Sequence, residues 1–171
     1  PRDDWTTLRA SGARPREALQ HAPACPTRSG MPQSHDAYDP ALIRRVLAET
    51  RTIALVGASA NPARPSHHVM AFLLERGYRV IPVNPGLSGQ VLQGQPVIAR
   101  LADLPEPVDM VEIFRSSDAA GGVVDEALAL PQPPRFIWMQ IGVRDDAAAA
   151  RAEAAGCVVV MDRCPKIEIF T

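Results

Sequence analysis

No stretch of this 171-residue chain approaches the ~18 consecutive apolar residues that a membrane-spanning helix needs. Cysteine is scarce. Cys25, Cys157 and Cys164 form an odd, sparse set that excludes a disulfide framework and suits a reducing, cytoplasmic setting. Surplus charge is missing as well: 18 Lys and Arg face 19 Asp and Glu, so no overall basic excess points to nucleic acid or an anionic membrane. No paired carboxylates and no Ser-His-Asp arrangement stand out. His67 and His68 fall in the first turn of a predicted helix, without the Cys or acid partners of a metal site. What remains is an ordinary globular composition, 46% hydrophobic and 22% charged, at a length suited to one domain.

The first thirty residues lack Val, Ile, Phe and Met altogether; Trp5, Leu8 and Leu19 are their only large apolar side chains. Pro1, Pro15, Pro23 and Pro26 interrupt any helix. Too little apolar surface is present to offset the entropy of ordering. No apolar h-region marks a secretory signal, and Asp3, Asp4 and Glu17 argue against an Arg-rich targeting peptide. The expectation is a disordered extension over 1–37, either a non-functional tail or a misread start with Met31 as the natural initiator, and a folded domain over 38–171. The alternative is a regulatory extension that orders against a partner.

Beyond residue 39 the pattern alternates. Asp39-Pro40 caps a helix with Leu42, Ile43, Val46 and Leu47 at helical spacing. Residues 52–56 form an apolar run that ends at Gly57, a buried strand. Ser66 is a candidate cap for a helix whose inner face is Val69, Met70, Leu73 and Leu74, stopped by Gly77. A second strand covers 79–83, marked down by Pro82, which has no N–H to donate. Residues 86–108 are loop-like, with one short extra strand near 96–98. A third strand over 109–114 leads to a helix capped by Ser116 or Ser117, and Gly121-Gly122 weaken it by about 1 kcal/mol each. A fourth strand over 136–139, an Ala-rich helix capped by Asp145 or Asp146 and a fifth strand over 157–161 complete the series.

Strands alternating with helices predict a single α/β domain: a Rossmann-like, doubly wound, mostly parallel sheet of about five strands. The expected strand order is 3-2-1-4-5, with 52–56 in the centre. Ligands bind such sheets beyond the carboxyl ends of the strands, at the switch in strand order. That order puts the switch between the first and fourth strands, at loops 57–66 and 140–144, flanked by Asn84-Pro85 and Phe114-Arg115.

These loops carry the candidate chemistry. Gly57 permits a tight turn, and Ala58 and Ser59 are small enough for a phosphate to approach backbone N–H groups. A helix N-terminus follows, and Arg64 is placed to pair with phosphate oxygen. Only one of the three glycines of a dinucleotide fingerprint is present. The second strand ends Val83-Asn84-Pro85, without the acid that grips an NAD ribose. Asn84 suits a phosphorylated ribose or no nucleotide at all. Arg115 is a candidate for a pyrophosphate, with Phe114 packed beneath; the alternative is a solvated or ion-paired Arg. Gln140 and Gly142 leave the fourth strand at the crevice, or form a plain β-to-α turn. Cys157 reads as core, and Cys164 between Arg163 and Lys166 as a candidate reactive thiol without a visible base.

Taken together, 56–59 (VGAS), 64–66 (RPS), 81–85 (IPVNP), 109–115 (DMVEIFR), 138–143 (WMQIGV) and 159–165 (VVMDRCP) resemble the stand-alone CoA-binding proteins of bacteria, over about 38–170. Those are similar in fold to the CoA-binding domain of the succinyl-CoA synthetase alpha subunit. The resemblance implies a Rossmann-like sheet and coenzyme A or an acyl-CoA as a small-molecule ligand. It implies no reaction, because the synthetase needs a phosphorylated His and further domains. Gly57, Ala58, Ser59, Arg64 and Pro65 would line the phosphate end, and Val83, Asn84 and Pro85 would lie beside the adenosine. Phe114, Arg115, Gln140 and Gly142 would border the pyrophosphate and the start of the pantetheine arm. The rival readings are an NAD(P)-binding redox protein or sensor, a thiol enzyme using Cys164, and an interaction protein with a degenerate pocket.

Overall fold

The computed structural model describes residues 34–170, and the expectations for residues 1–33 lie outside them. Asp39 caps the first helix, α1 (Pro40–Glu49), by accepting the Ala41 N–H at 2.8 Å. Five strands build one parallel sheet: β1 (Thr52–Val56), β2 (Arg79–Val83), β5 (Met110–Ile113), β6 (Phe136–Met139) and β7 (Val158–Val160). Between β2 and β5 a small hairpin of β3 (Val91–Leu92) and β4 (Gln95–Pro96) stands apart from that sheet. The remaining helices are α2 (Pro65–Glu75), α3 (Ser117–Leu128), α4 (Asp146–Ala154) and the short α5 (Pro165–Glu168).

The order across the sheet is β2-β1-β5-β6-β7, which corrects the expected one. The third major strand, β5, pairs with β1 and not beyond β2, so β5 is central and β1 is its neighbour. Pro82 supplies the physical reason. Its carbonyl faces the outer side of β2, where it accepts the Ile98 N–H at 3.0 Å, and its nitrogen faces the same side with no hydrogen to give. A further strand could not pair fully there, and a single bridge between Val83 and Ile98 closes that edge. The amino-terminal end of the β1–β5 pair is instead locked by Asp109, whose carboxylate accepts the N–H groups of Arg51 and Thr52 at 2.9 and 3.0 Å.

Both faces of the sheet are covered. Ile53, Leu55, Met110 and Trp138 pack with α1 and α2 on one side; Ala54, Val111, Ile113 and Met139 pack with α3 and α4 on the other. Helix α2 starts two residues earlier than a Ser66 cap would place it, with Arg64 at the cap position. Pro65 occupies its first turn, where a missing N–H costs nothing, and Ser66 is buried inside. Asp145 caps α4 through the Ala148 N–H at 2.9 Å. Residues of the expected extension that are described touch the domain: Asp36 pairs with Arg144 at 2.8 Å, and His35 Nε2 lies 3.2 Å from Glu153.

The two glycines of α3 are not equivalent. A Cβ on Gly121 would stand 2.7 Å from the Asp145 carboxylate that caps α4, whereas one on Gly122 meets nothing. Gly122→Ala is therefore expected to stabilise by about 0.5–1 kcal/mol through helix propensity. Gly121→Ala is expected to lose that gain, because the displaced cap costs about 1 kcal/mol. Urea midpoints of the two variants check it; equal stabilisation would remove the packing role of Gly121.

Candidate functional site

Because β2 lies on one side of β1 and β5 on the other, the switch in strand order falls between β1 and β5. This moves the expected crevice by one strand and brings Phe114-Arg115 from its flank to its centre. Three backbone bonds hold the strand ends in line: Gly57 N–H to Val83 O at 3.0 Å, Phe114 N–H to Val56 O at 2.8 Å and Gln140 N–H to Ile113 O at 3.2 Å. Gly57 has φ +93, and a Cβ there would lie 2.6 Å from the Phe114 carbonyl oxygen. Only glycine allows the loops after β1 and β5 to approach so closely.

A cavity of about 620 Å³ opens at this point. Gly57, Ala58, Ser59, Arg64 and Pro65 line it from the β1–α2 side, Asn84 from the end of β2, and Phe114, Arg115 and Gln140 from the neighbouring strand ends. Nine of the twelve residues singled out from the sequence thus converge on one cavity. Val83 and Pro85 line a second cavity of about 470 Å³, which shares Gly57 and Arg115 with the first and runs toward α3. Gly142 lines neither of the two. It adopts φ +79 and donates its N–H to Asp162 at 2.8 Å, the geometry of a turn.

Several side chains do work that their position alone did not disclose. Asn84 donates from Nδ2 to the Ala58 carbonyl at 2.7 Å and accepts the Gly86 N–H at 2.8 Å. Its amide ties the loop after β1 to the loop after β2. Ser59 accepts the Asn61 N–H at 3.1 Å, and Asn61 accepts the Ala63 N–H at 2.9 Å, shaping the approach to α2. Trp138, fully buried, donates to the Arg163 carbonyl at 2.7 Å and so holds the turn that brings Cys164 to the cavity.

Ser66, Val69, Ile141, Val143 and Cys164 also line the cavity. Ile141 and Val143 lie within the loop singled out after β6. Val69 follows Ser66 by three residues on one helical face, a spacing that could have indicated it. Cys164 is 92% shielded and heads a helix of only four residues. Along the sheet edge, Arg64 and Arg115 belong to the β1–β5 side, and Ile141, Val143 and Cys164 to the β6–β7 side. Among the described residues neither guanidinium has an acidic partner. One end of the cavity is therefore cationic and the other apolar.

An open parallel sheet with this crevice at its switch point defines a Rossmann-like α/β protein. The chain belongs to the CoA binding domain family, whose pattern matches residues 51–169. The uncharacterized protein YneT of Bacillus subtilis (strain 168) is 34% identical over 125 residues, which is 73% of this chain and 90% of that protein. A structure from Thermus thermophilus, cell-free ID.343, is 40% identical with a TM-score of 0.73, covering 78% of this chain and 98% of the other. The apo form of the dinucleotide forming acetyl-coenzyme A synthetase 1 of Ca. Korarchaeum cryptofilum is 25% identical with a TM-score of 0.55. That match covers 65% of this chain and 26% of the synthetase.

Proposed function

We propose that this protein is a cytoplasmic module that binds coenzyme A or an acyl-CoA in the β1–β5 crevice, with no covalent step of its own. The observation that carries the reading is the pair Arg64 and Arg115, two guanidinium groups at one cavity without acidic partners among the described residues, beside the N-terminus of α2. Unpaired cations at a helix N-terminus suit a pyrophosphate and a ribose phosphate. The apolar end, with Val69, Ile141 and Val143, suits an uncharged pantetheine arm. Membership of the CoA binding domain family supports the same ligand. A cavity of about 620 Å³ is within the ordinary range for such sites, roughly 300–1,000 Å³. No helix among the described residues is long and apolar enough to cross a membrane.

Calorimetry with CoA, dephospho-CoA and NAD tests the proposal. CoA is expected to bind more tightly than NAD, because Asn84 stands where an NAD site places its acid. Arg64→Ala and Arg115→Ala are each expected to cost about 1.5 kcal/mol, or roughly tenfold, the lower end for a charge-assisted bond because both groups are exposed. Cys164→Ser is expected to leave the affinity nearly unchanged. Tighter binding of NAD than CoA would overturn the reading. Thioester turnover that disappears with Cys164 would replace it with the thiol-enzyme alternative.

A further inference from the structure

Beneath the cavity floor lies a carboxyl group that the proposed binding does not use. Side chains alternate along a strand, so Glu112 shares a face with Met110 and Phe114, the face covered by α1 and α2. Leu55 and Trp138 are its register partners on the two adjoining strands. It is 0% exposed, and its Oε2 has no hydrogen-bond partner. Among the described residues its one side-chain hydrogen bond is with Gln140, whose Nε2 donates to Oε1 over a long 3.4 Å. Gln140 in turn accepts the Ile141 N–H on its own Oε1 at 2.9 Å, and its backbone carbonyl accepts the Val143 N–H at 2.8 Å. Gln140 is thus the corner from which the cavity-lining segment 141–143 turns, and Glu112 sits directly behind that corner.

A solitary carboxyl among aliphatic and indole side chains is costly to keep, and a hydrocarbon residue would pack there at no such cost. We propose that Glu112 is a positioning residue of the binding site, which seats the 141–143 loop through Gln140 and makes ligand affinity depend on its own protonation. The proposal rests on the crevice being the CoA site. With the carboxyl neutral, the Gln140 amide is shared between Glu112 and Ile141. With the carboxylate ionised, Gln140 Nε2 is the donor in reach. The amide is drawn inward, Ile141 is released, and a negative charge lies under an anionic ligand.

Burial raises the Glu112 carboxyl from 4.5 to about 8, so the change falls at mildly alkaline pH. The other elements on this face present no charge to it. From α2 come Val69, Met70 and Leu73, with His67 partly exposed; the turn after β7 brings Cys164; Arg44, Arg45 and Glu49 of α1 and Lys166 of α5 are exposed. Glu168 is paired with Arg163. Arg64 and Arg115 stand on the loops that line the cavity.

Two measurements test this on the full chain, with Glu112→Gln as the isosteric, non-titrating variant. In the free protein, the side-chain amide resonances of Gln140 are expected to titrate with a midpoint near pH 8 in the wild type and to stay fixed in E112Q. By calorimetry, wild-type affinity for acetyl-CoA, which has no free thiol, is expected to fall at least threefold between about pH 7 and about pH 9, while E112Q changes far less. A Gln140 amide that does not move with pH, or the same affinity profile in both proteins, would overturn the positioning role. If Gln140 titrates as expected but acetyl-CoA and CoA bind neither protein at any pH, the CoA reading falls instead.

Discussion

Glu112→Gln is expected to stabilise the fold increasingly as pH rises from about 4.5 to about 8, and to give no further gain above that. In the unfolded chain the carboxyl releases its proton near its ordinary value, while the folded chain holds it until about 8. Between those values the native state binds the extra proton, so wild-type stability falls with pH. Below the interval both states are protonated, and above it both are ionised. At about 1.36 kcal/mol per unit, the interval amounts to about 5 kcal/mol, a large part of the 5–15 kcal/mol typical of a domain. Urea unfolding of both proteins at about pH 5, 7 and 9 measures it. A stability difference that does not change with pH would show that Glu112 is solvated or otherwise compensated. Asp146, held below its usual range by Arg144, contributes in the opposite sense at acid pH, equally in both proteins.

The second large effect is expected at the switch point. Gly57→Ala must place a Cβ 2.6 Å from a backbone carbonyl and hold a left-handed φ of +93. The strained backbone alone costs about 1–2 kcal/mol, and the clash can be relieved only by parting the loops after β1 and β5. A total loss above about 3 kcal/mol is expected, with CoA affinity reduced at least a hundredfold because Arg64 and Arg115 stand on the parted loops. Gly142→Ala separates the two causes. Its φ is +79, but a Cβ there meets nothing, so it is expected to cost about 1 kcal/mol and leave affinity within twofold. Comparable affinity losses in the two variants would mean that backbone conformation, and not the close approach, governs the site.

The convergence of nine candidate residues on one cavity is legible in the sequence because they sit where a parallel sheet always exposes them, at strand carboxyl ends. The pattern of runs and breakers locates those ends to within a residue or two. The candidates that stand outside the first cavity do so for local reasons. Val83 is a buried strand residue that lines the second cavity with Pro85, and Gly142 serves its own turn. Asn84 stands out in the sequence by its lack of charge, yet both ends of its amide are committed to backbone. An acid there would set an oxygen against the Ala58 carbonyl as well as repel a phosphate.

Helix and strand identity, the parallel α/β class and the family strings all follow from the sequence by itself, because they depend on local periodicity, caps and contiguous residues. Strand order does not. Pro82 marks β2 as an edge strand through one missing hydrogen, but which strand takes the place on the far side of β1 depends on the long 84–109 segment and on the Asp109 lock, which join residues 57 and 58 apart in sequence. Nor does the local pattern distinguish Glu112 from a solvent-facing acid. Only the packing of α1 and α2 against β5 excludes water there, and that exclusion turns an ordinary carboxyl into a protonated one at neutral pH.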